Sequence, residues 1–151
     1  MHDGCHALDL MNWWFGKIRW AVKSNGFKEP DFDMSHGFMA GYERCPQVVF
    51  TPVDSKDYGV FEIEVITNKG QYILRHNGTQ LHTRKIISGD GWGDYPVIGP
   101  THAIQTNLTS AMCNLYENVV GFLDGKEELK CTSQDALAVW EAFNKINEGP
   151  E

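Results

Sequence analysis

No stretch of this sequence approaches the ~20 consecutive apolar residues needed to cross a bilayer. Its first residues lack the basic leader and apolar run of a secretory signal, so a cytoplasmic location with no membrane partner is expected. Basic residues are scarce: 13 Lys and Arg stand against 20 Asp and Glu, a formal charge of −7, and the longest basic grouping is Arg84-Lys85. A nucleic-acid surface needs clustered cations, and none is expected here. Cysteine occurs only at Cys5, Cys45, Cys113 and Cys131, with no CxxC or CxxH pair. That spacing excludes a zinc knuckle, and a disulfide framework is not expected in a chain of this size. Asn77-Gly78-Thr79 and Asn107-Leu108-Thr109 match the glycosylation sequon, but without an export signal both read as coincidence.

Phosphate-binding glycine motifs are missing too. The one glycine cluster, Gly89-Asp90-Gly91-Trp92-Gly93, lacks GxGxxG spacing, and Pro96 and Pro100 follow where a helix should begin. A dinucleotide site needs a strand, a glycine turn and a helix N-terminus in succession, so no cofactor-binding residue is assigned. Neither GxxxxGK[ST] nor GxSxG occurs.

What remains is ordinary globular material. Hydrophobic residues make up 42% of the 151 residues and charged residues 22%, which suits one domain spanning residues 1–151. Ala7, Leu10, Met11 and Trp14 recur at helical spacing and Gly16 supplies a stop. "IRWAVKS" reads as a strand, with Ile18, Trp20 and Val22 alternating against Arg19, Ala21 and Lys23; residues 24–37 read as a loop. "GFMAGYE" and "QVVFTPVD" form the next pair, Pro52 marking the second as an edge or bulged strand. "GVFEIEVIT", "QYILRH" and "TQLHTRKII" form a meander, turning at Asn68-Lys69-Gly70 and at Asn77-Gly78, the latter as a type I′ hairpin turn. Residues 88–102, with their glycines and prolines, read as a long loop of the kind that often carries function.

The last third is helical. Leu108, Ala111, Met112, Leu115, Val119, Phe122 and Leu123 form one apolar stripe ending at Gly125. Ala136, Val139, Trp140, Phe143 and Ile146 form another, capped by Thr132 or Ser133 with Asp135 in the first turn, and ended by Gly149 and Pro150. Consecutive strands joined by hairpins, then helices, predict an α+β fold: a mainly antiparallel open β-sheet with helices packed on one face.

The candidate chemistry lies at the start. His2 and His6 are four apart, with Asp3 and Asp9 beside them. Three readings stay open on these residues alone. Imidazole with an orienting carboxylate suits proton transfer near neutral pH; two histidines and a carboxylate suit a metal; or Asp3 simply favours the helix N-terminus and His6 is partly buried. His36, His76, His82 and His102 read as surface or strand residues, His102 lying beside the glycine-rich loop where it could line a pocket. Trp13, Trp14, Trp20 and Trp140 fit core positions, whereas Trp92 and Tyr95 are loop aromatics suited to stacking on a sugar ring or to a subunit contact.

"DGCHALDLMNWWFG" resembles the segment that opens the C-terminal domain of the glucose–fructose oxidoreductase / inositol dehydrogenase (Gfo/Idh/MocA) family, D-x-G-x-H-x-x-D-L followed by an apolar helix and a glycine. "VFEIEVITNKGQYIL" is similar to the family's strand–turn–strand, and "NVVGFLDGKEELKCTSQDALAVWEAFNKI" to its closing helices, so the resemblance covers the chain in order. It implies a substrate-binding and oligomerisation domain, as a fragment or split half, of an NAD- or NADP-dependent oxidoreductase acting on a sugar, inositol or related polyol. The cofactor and an E-K-P lysine would come from a Rossmann domain, here expected as a separate partner, so this chain alone is expected to bind no cofactor and to be inactive. The family's open sheet implies a homo-oligomer. By position, His6 matches the site histidine that transfers the hydroxyl proton, and Asp9 the acidic residue three places on. Trp92, Tyr95 and His102 are further substrate-binding candidates. The family's aspartate usually lies four residues before the histidine, where this chain has His2; Asp3 stands three before, similar to the H-D-G-x-H of some members, so His6 has two candidate partners. Lys28-Glu29-Pro30 does not match E-K-P. A non-enzymatic binding or assembly module that keeps the sheet for dimerisation is the alternative reading.

Overall fold

The computed structural model describes residues 4–24, 37–53, 57–89, 93 and 95–148. In chain order its elements are α1 (Gly4–Phe15), β1 (Ile18–Lys23), β2 (Phe38–Tyr42), β3 (Val48–Phe50), β4 (Ile63–Thr67), β5 (Gly70–Arg75) and β6 (Gln80–Ile87). There follow β7 (Val97–Ile98), β8 (His102–Gln105), a 3-10 turn (Leu108–Ser110), α2 (Ala111–Leu123) and α3 (Ser133–Glu148). The class is α+β, with antiparallel pairing throughout and, among the described residues, no closed barrel. The strands divide into two sheets rather than one. β3 stops at Phe50, two residues before Pro52, whose missing N–H cannot extend a ladder. The chain accordingly forms two compact units, Met1–Gly59 with Leu129–Glu151, and Val60–Glu128.

In the first unit the sheet order is β1-β2-β3. Phe38, Ala40 and Tyr42 alternate on β2 and are buried, Ala21 lies opposite Ala40, and Phe38 stacks on Phe50 with ring centroids 4.0 Å apart. α3 packs on β1 and on α1, contributing buried Ala142 and Ile146 against α1's buried Leu8 and Met11. α1 stops where expected. Gly16 adopts φ +81°, a left-handed conformation that a residue with Cβ takes at a cost, and its N–H donates to the Asn12 carbonyl at 2.9 Å. The β2–β3 connection then receives the helix end, Arg44 N–H donating to the Phe15 carbonyl at 2.9 Å.

The inward residue of β1 is Ala21, not the larger Trp20 or Val22. A register shift between Ile18 and Trp20 breaks simple alternation. Trp20, Val22, Met39 and Val49 therefore share the outer face, with Val22, Met39 and Val49 in one cross-strand row.

In the second unit β4, β5 and β6 form the expected meander. The hairpin turn sits one residue earlier than Asn77-Gly78. His76 and Asn77 take φ of 52° and 53°, and Gly78 N–H donates to the Arg75 carbonyl at 3.1 Å. Asn77 tolerates that conformation and its Oδ1 accepts from Phe61 N–H at 3.0 Å, which ties the turn to the approach of β4. Cross-strand register places Ile63, Val65, Tyr72, Leu74, Leu81 and Ile104 on one face. The other carries a polar ladder: the Gln71 amide donates to Glu64, Arg84 Nη1 donates to Gln71 Oε1 at 3.0 Å, and Arg84 Nε to the Gly99 carbonyl at 3.1 Å.

One expectation fails here. The segment 88–102 is not wholly loop: Val97 and Ile98 pair with Ile87 and Ile86 as β7, and β8 begins at His102. β-Branched side chains suit that pairing, and flanking Pro96 and Pro100 keep β7 two residues long. α2 forms where its apolar stripe predicts, and along that stripe Leu108, Met112, Leu115, Val119 and Phe122 are all substantially exposed. The buried residue of α2 is Asn118, which donates to Glu127 Oε2 at 3.0 Å and to the Glu128 carbonyl at 2.9 Å.

Candidate functional site

α1 is the element on which the sequence concentrates chemistry, and its geometry spaces that chemistry by turns. His6 lies in the first turn and is exposed, while Asp9, three residues on, is partly buried. Residues three and four apart share a helix face, and Trp13 continues the line with 74% of its surface exposed. That exposure corrects the expectation of a core tryptophan at 13. The same holds for Trp20 and Trp140, 41% and 59% exposed. His2, Asp3 and Trp92 lie outside the described residues, as do His36, Gly149 and Pro150.

Asp9 also faces the other helix of its unit. The Cys131 thiol, just before α3, has its pKa raised, first by desolvation and then by the carboxylates of Asp9 and Asp135. Charge repulsion of this kind keeps the sulfur protonated and makes it a poor nucleophile. Beside these residues, α1 and α3 enclose a small apolar groove of about 190 Å³ lined by Cys5, Leu8, Ala136, Val139, Trp140 and Phe143. An imidazole and a carboxylate on one helix face, with an apolar groove and an exposed indole on the same helix, can accept a proton from a hydroxyl and hold a ring that has one apolar side.

The remaining candidates belong to the second unit. Tyr95 precedes β7 and is exposed. His102 opens β8 and lines an open concavity of about 480 Å³ together with Thr83, Lys85, Ile87, Gly99, Pro100 and Ile104. Tyr95 is not part of that lining. Lys85 gave no signal in the sequence beyond its place beside Arg84; only the register of β6 against β8 brings it to His102.

Among the described residues, no three His, Cys, Asp or Glu side chains converge as a metal site, and no helix is long and apolar enough to cross a membrane. Gly89 and Gly93 lie between β6 and β7, and Gly99 lies between β7 and β8.

No family model matches this sequence, and no curated protein matches it. Solved structures do. The chain is similar to a crystal structure described as a "putative oxidoreductase" from Bacteroides fragilis NCTC 9343, with a TM-score of 0.59 and 13% sequence identity over 96% of this chain. The match covers 48% of that protein, so this chain spans about half its length. At this identity the likeness is one of fold alone, and it agrees with the α+β class.

Proposed function

We propose that this chain is the substrate-binding part of an NAD- or NADP-dependent oxidoreductase of the Gfo/Idh/MocA type, acting on a sugar, inositol or related polyol. The observation that carries the reading is His6, exposed in the first turn of α1 with Asp9 one turn along. It stands at the position where the sequence resembles the family's site segment. The fold likeness to an oxidoreductase about twice as long supports it.

In this reading His6 takes the proton of the substrate hydroxyl as its carbon is oxidised, and returns it in the reverse direction. Asp3 or His2 orients the imidazole, and Asp9 binds substrate hydroxyls. The nicotinamide cofactor is assigned to a separate Rossmann-fold partner, as the sequence resemblance implies. A titration of the full chain with myo-inositol and with glucose tests this, read at the His6 ring resonances by NMR. The expected result is a shift of those resonances that His6→Ala abolishes. Polyol binding that leaves His6 unperturbed, or tight binding of NADH by this chain alone, overturns it.

A second reading is favoured by one specific observation. The outer face of the β1-β2-β3 sheet presents Trp20, Val22, Met39 and Val49 to solvent, Val49 with 59% exposed. An apolar face of this kind marks an association surface, and it supports a homo-oligomer or an assembly module. Sedimentation that gives a monomer at all concentrations would discard it.

A further inference from the structure

β6 changes partners along its length. β8 pairs with it from Gln80 to Thr83, β7 pairs with Ile86 and Ile87, and between these the chain crosses from Ile98 to His102 through Gly99 and Pro100. The handover leaves a cup over Thr83 and Lys85. Gly99 is buried and held there by its N–H to the Lys85 carbonyl at 2.8 Å and by its own carbonyl accepting from Arg84 Nε at 3.1 Å. A Cβ at position 99 would come within 3.1 Å of both Ile87 Cγ2 and the Lys85 carbonyl oxygen, so glycine keeps the floor open.

The lining is chemically divided. Ile87, Pro100 and Ile104 form an apolar wall, while Thr83, Lys85 and His102 bring a hydroxyl, an ammonium and an imidazole to one concavity of about 480 Å³. Thr83 lies directly opposite His102 in the ladder, and Lys85 is two residues further on the same face of β6. Among the described residues no hydrogen bond or ion pair engages these three polar groups, and no carboxylate shares their face of the sheet; Glu64 lies on the opposite face with Gln71 and Arg84. In a chain carrying a formal charge of −7, an unneutralised lysine beside an imidazole donor and a hydroxyl is a local anion receptor.

We propose that this cup binds the anionic group of a small ligand, a carboxylate or a phosphate, with the ligand's ring against Ile87, Pro100 and Ile104; that the ligand is a polyol rests on the function proposed above. Lys85 supplies the charge, His102 and Thr83 donate hydrogen bonds to the remaining oxygens, and Gly99 provides the room. The site stands on the second unit alone and needs neither His6 nor a cofactor.

The test is an NMR titration of the isotopically labelled full chain with glucuronate, with glucose 6-phosphate and with glucose. The expected result is a saturable shift of the Thr83, Lys85, Gly99 and His102 amides with one or both anions, and none with glucose at the same concentration. Lys85→Met, which keeps the aliphatic stem, should weaken that binding about tenfold or more, whereas Lys69→Met on the β4–β5 turn should leave it unchanged. The anion that binds more tightly identifies the head group as carboxylate or phosphate. Equal shifts with glucose, no shift with either anion, or indifference to Lys85→Met would overturn the proposal. The readout is confined to the second unit, so its failure leaves the His6 reading intact, and failure of the His6 titration leaves this one intact.

Discussion

Thr132 and Asp135 cap each other at the start of α3. The Asp135 carboxylate accepts from the Thr132 N–H at 2.7 Å and from its hydroxyl at 2.6 Å, and the Asp135 N–H donates to the Thr132 hydroxyl at 3.4 Å. This is a capping box with Asp in the role usually taken by Glu. The hydrogen bonds from Thr132 hold the Asp135 carboxyl below its ordinary range. A folded-state pKa below the unfolded one means stability that is present above the unfolded value and is lost as pH falls through the folded one. Thermal melts between pH 7 and pH 3 should therefore show a Tm loss that Asp135→Asn flattens, and Thr132→Ala should lower Tm by a few degrees at pH 7.

Tyr42 works in the opposite direction. Its ring is buried on the inner face of β2, its hydroxyl has no partner among the described residues, and burial, reinforced by Cys45, pushes its pKa well above the usual tyrosine value. The stability it contributes is complete below the unfolded pKa of about 10 and erodes as pH rises beyond it. Tyr42→Phe removes an unpaired buried hydroxyl. It should be neutral or stabilising by up to about 1 kcal/mol at pH 7 and should reduce the alkaline loss, as checked by urea unfolding at pH 7 and pH 11.

The indole of Trp20 lies across Gly41, so close that an added Cβ would stand 2.1 Å from Nε1. Gly41→Ala must therefore push the ring off the sheet, at a cost of about 1–3 kcal/mol. The same substitution in a Trp20→Ala background should be markedly less harmful. A double-mutant cycle measured by urea denaturation checks the coupling; additive losses would show that Gly41 matters for another reason.

Leu8 is the one large side chain fully buried in the described core, and it sits two residues from His6. Leu8→Ala should cost about 2–5 kcal/mol by opening a cavity between α1 and α3. The measurement is the denaturation midpoint at constant m-value.

Local signals in the sequence were sufficient for several elements. Gly16 ending α1, the period-two alternation of Ile63 and Val65, and the Thr132–Asp135 start of α3 all depend on residues within one turn or one strand of each other, although β4 begins at Ile63 and leaves Phe61 outside it. His6 and Asp9 are likewise legible, because three residues on a helix place two side chains on one face whatever else the chain does. Other features needed partners distant in sequence. That Ala21 rather than Trp20 points inward follows from a register shift against β2, and the bond from Phe61 to Asn77 ties the turn to a segment distant in sequence. The cup joining Lys85 to His102 exists because β6 passes from β8 to β7 at that point. Periodicity tells which residues of a segment share a face, but burial of that face is decided by what the rest of the chain brings against it. Trp13 and the stripe of α2 have the spacing of core residues and remain exposed, since no described element of their own unit covers them.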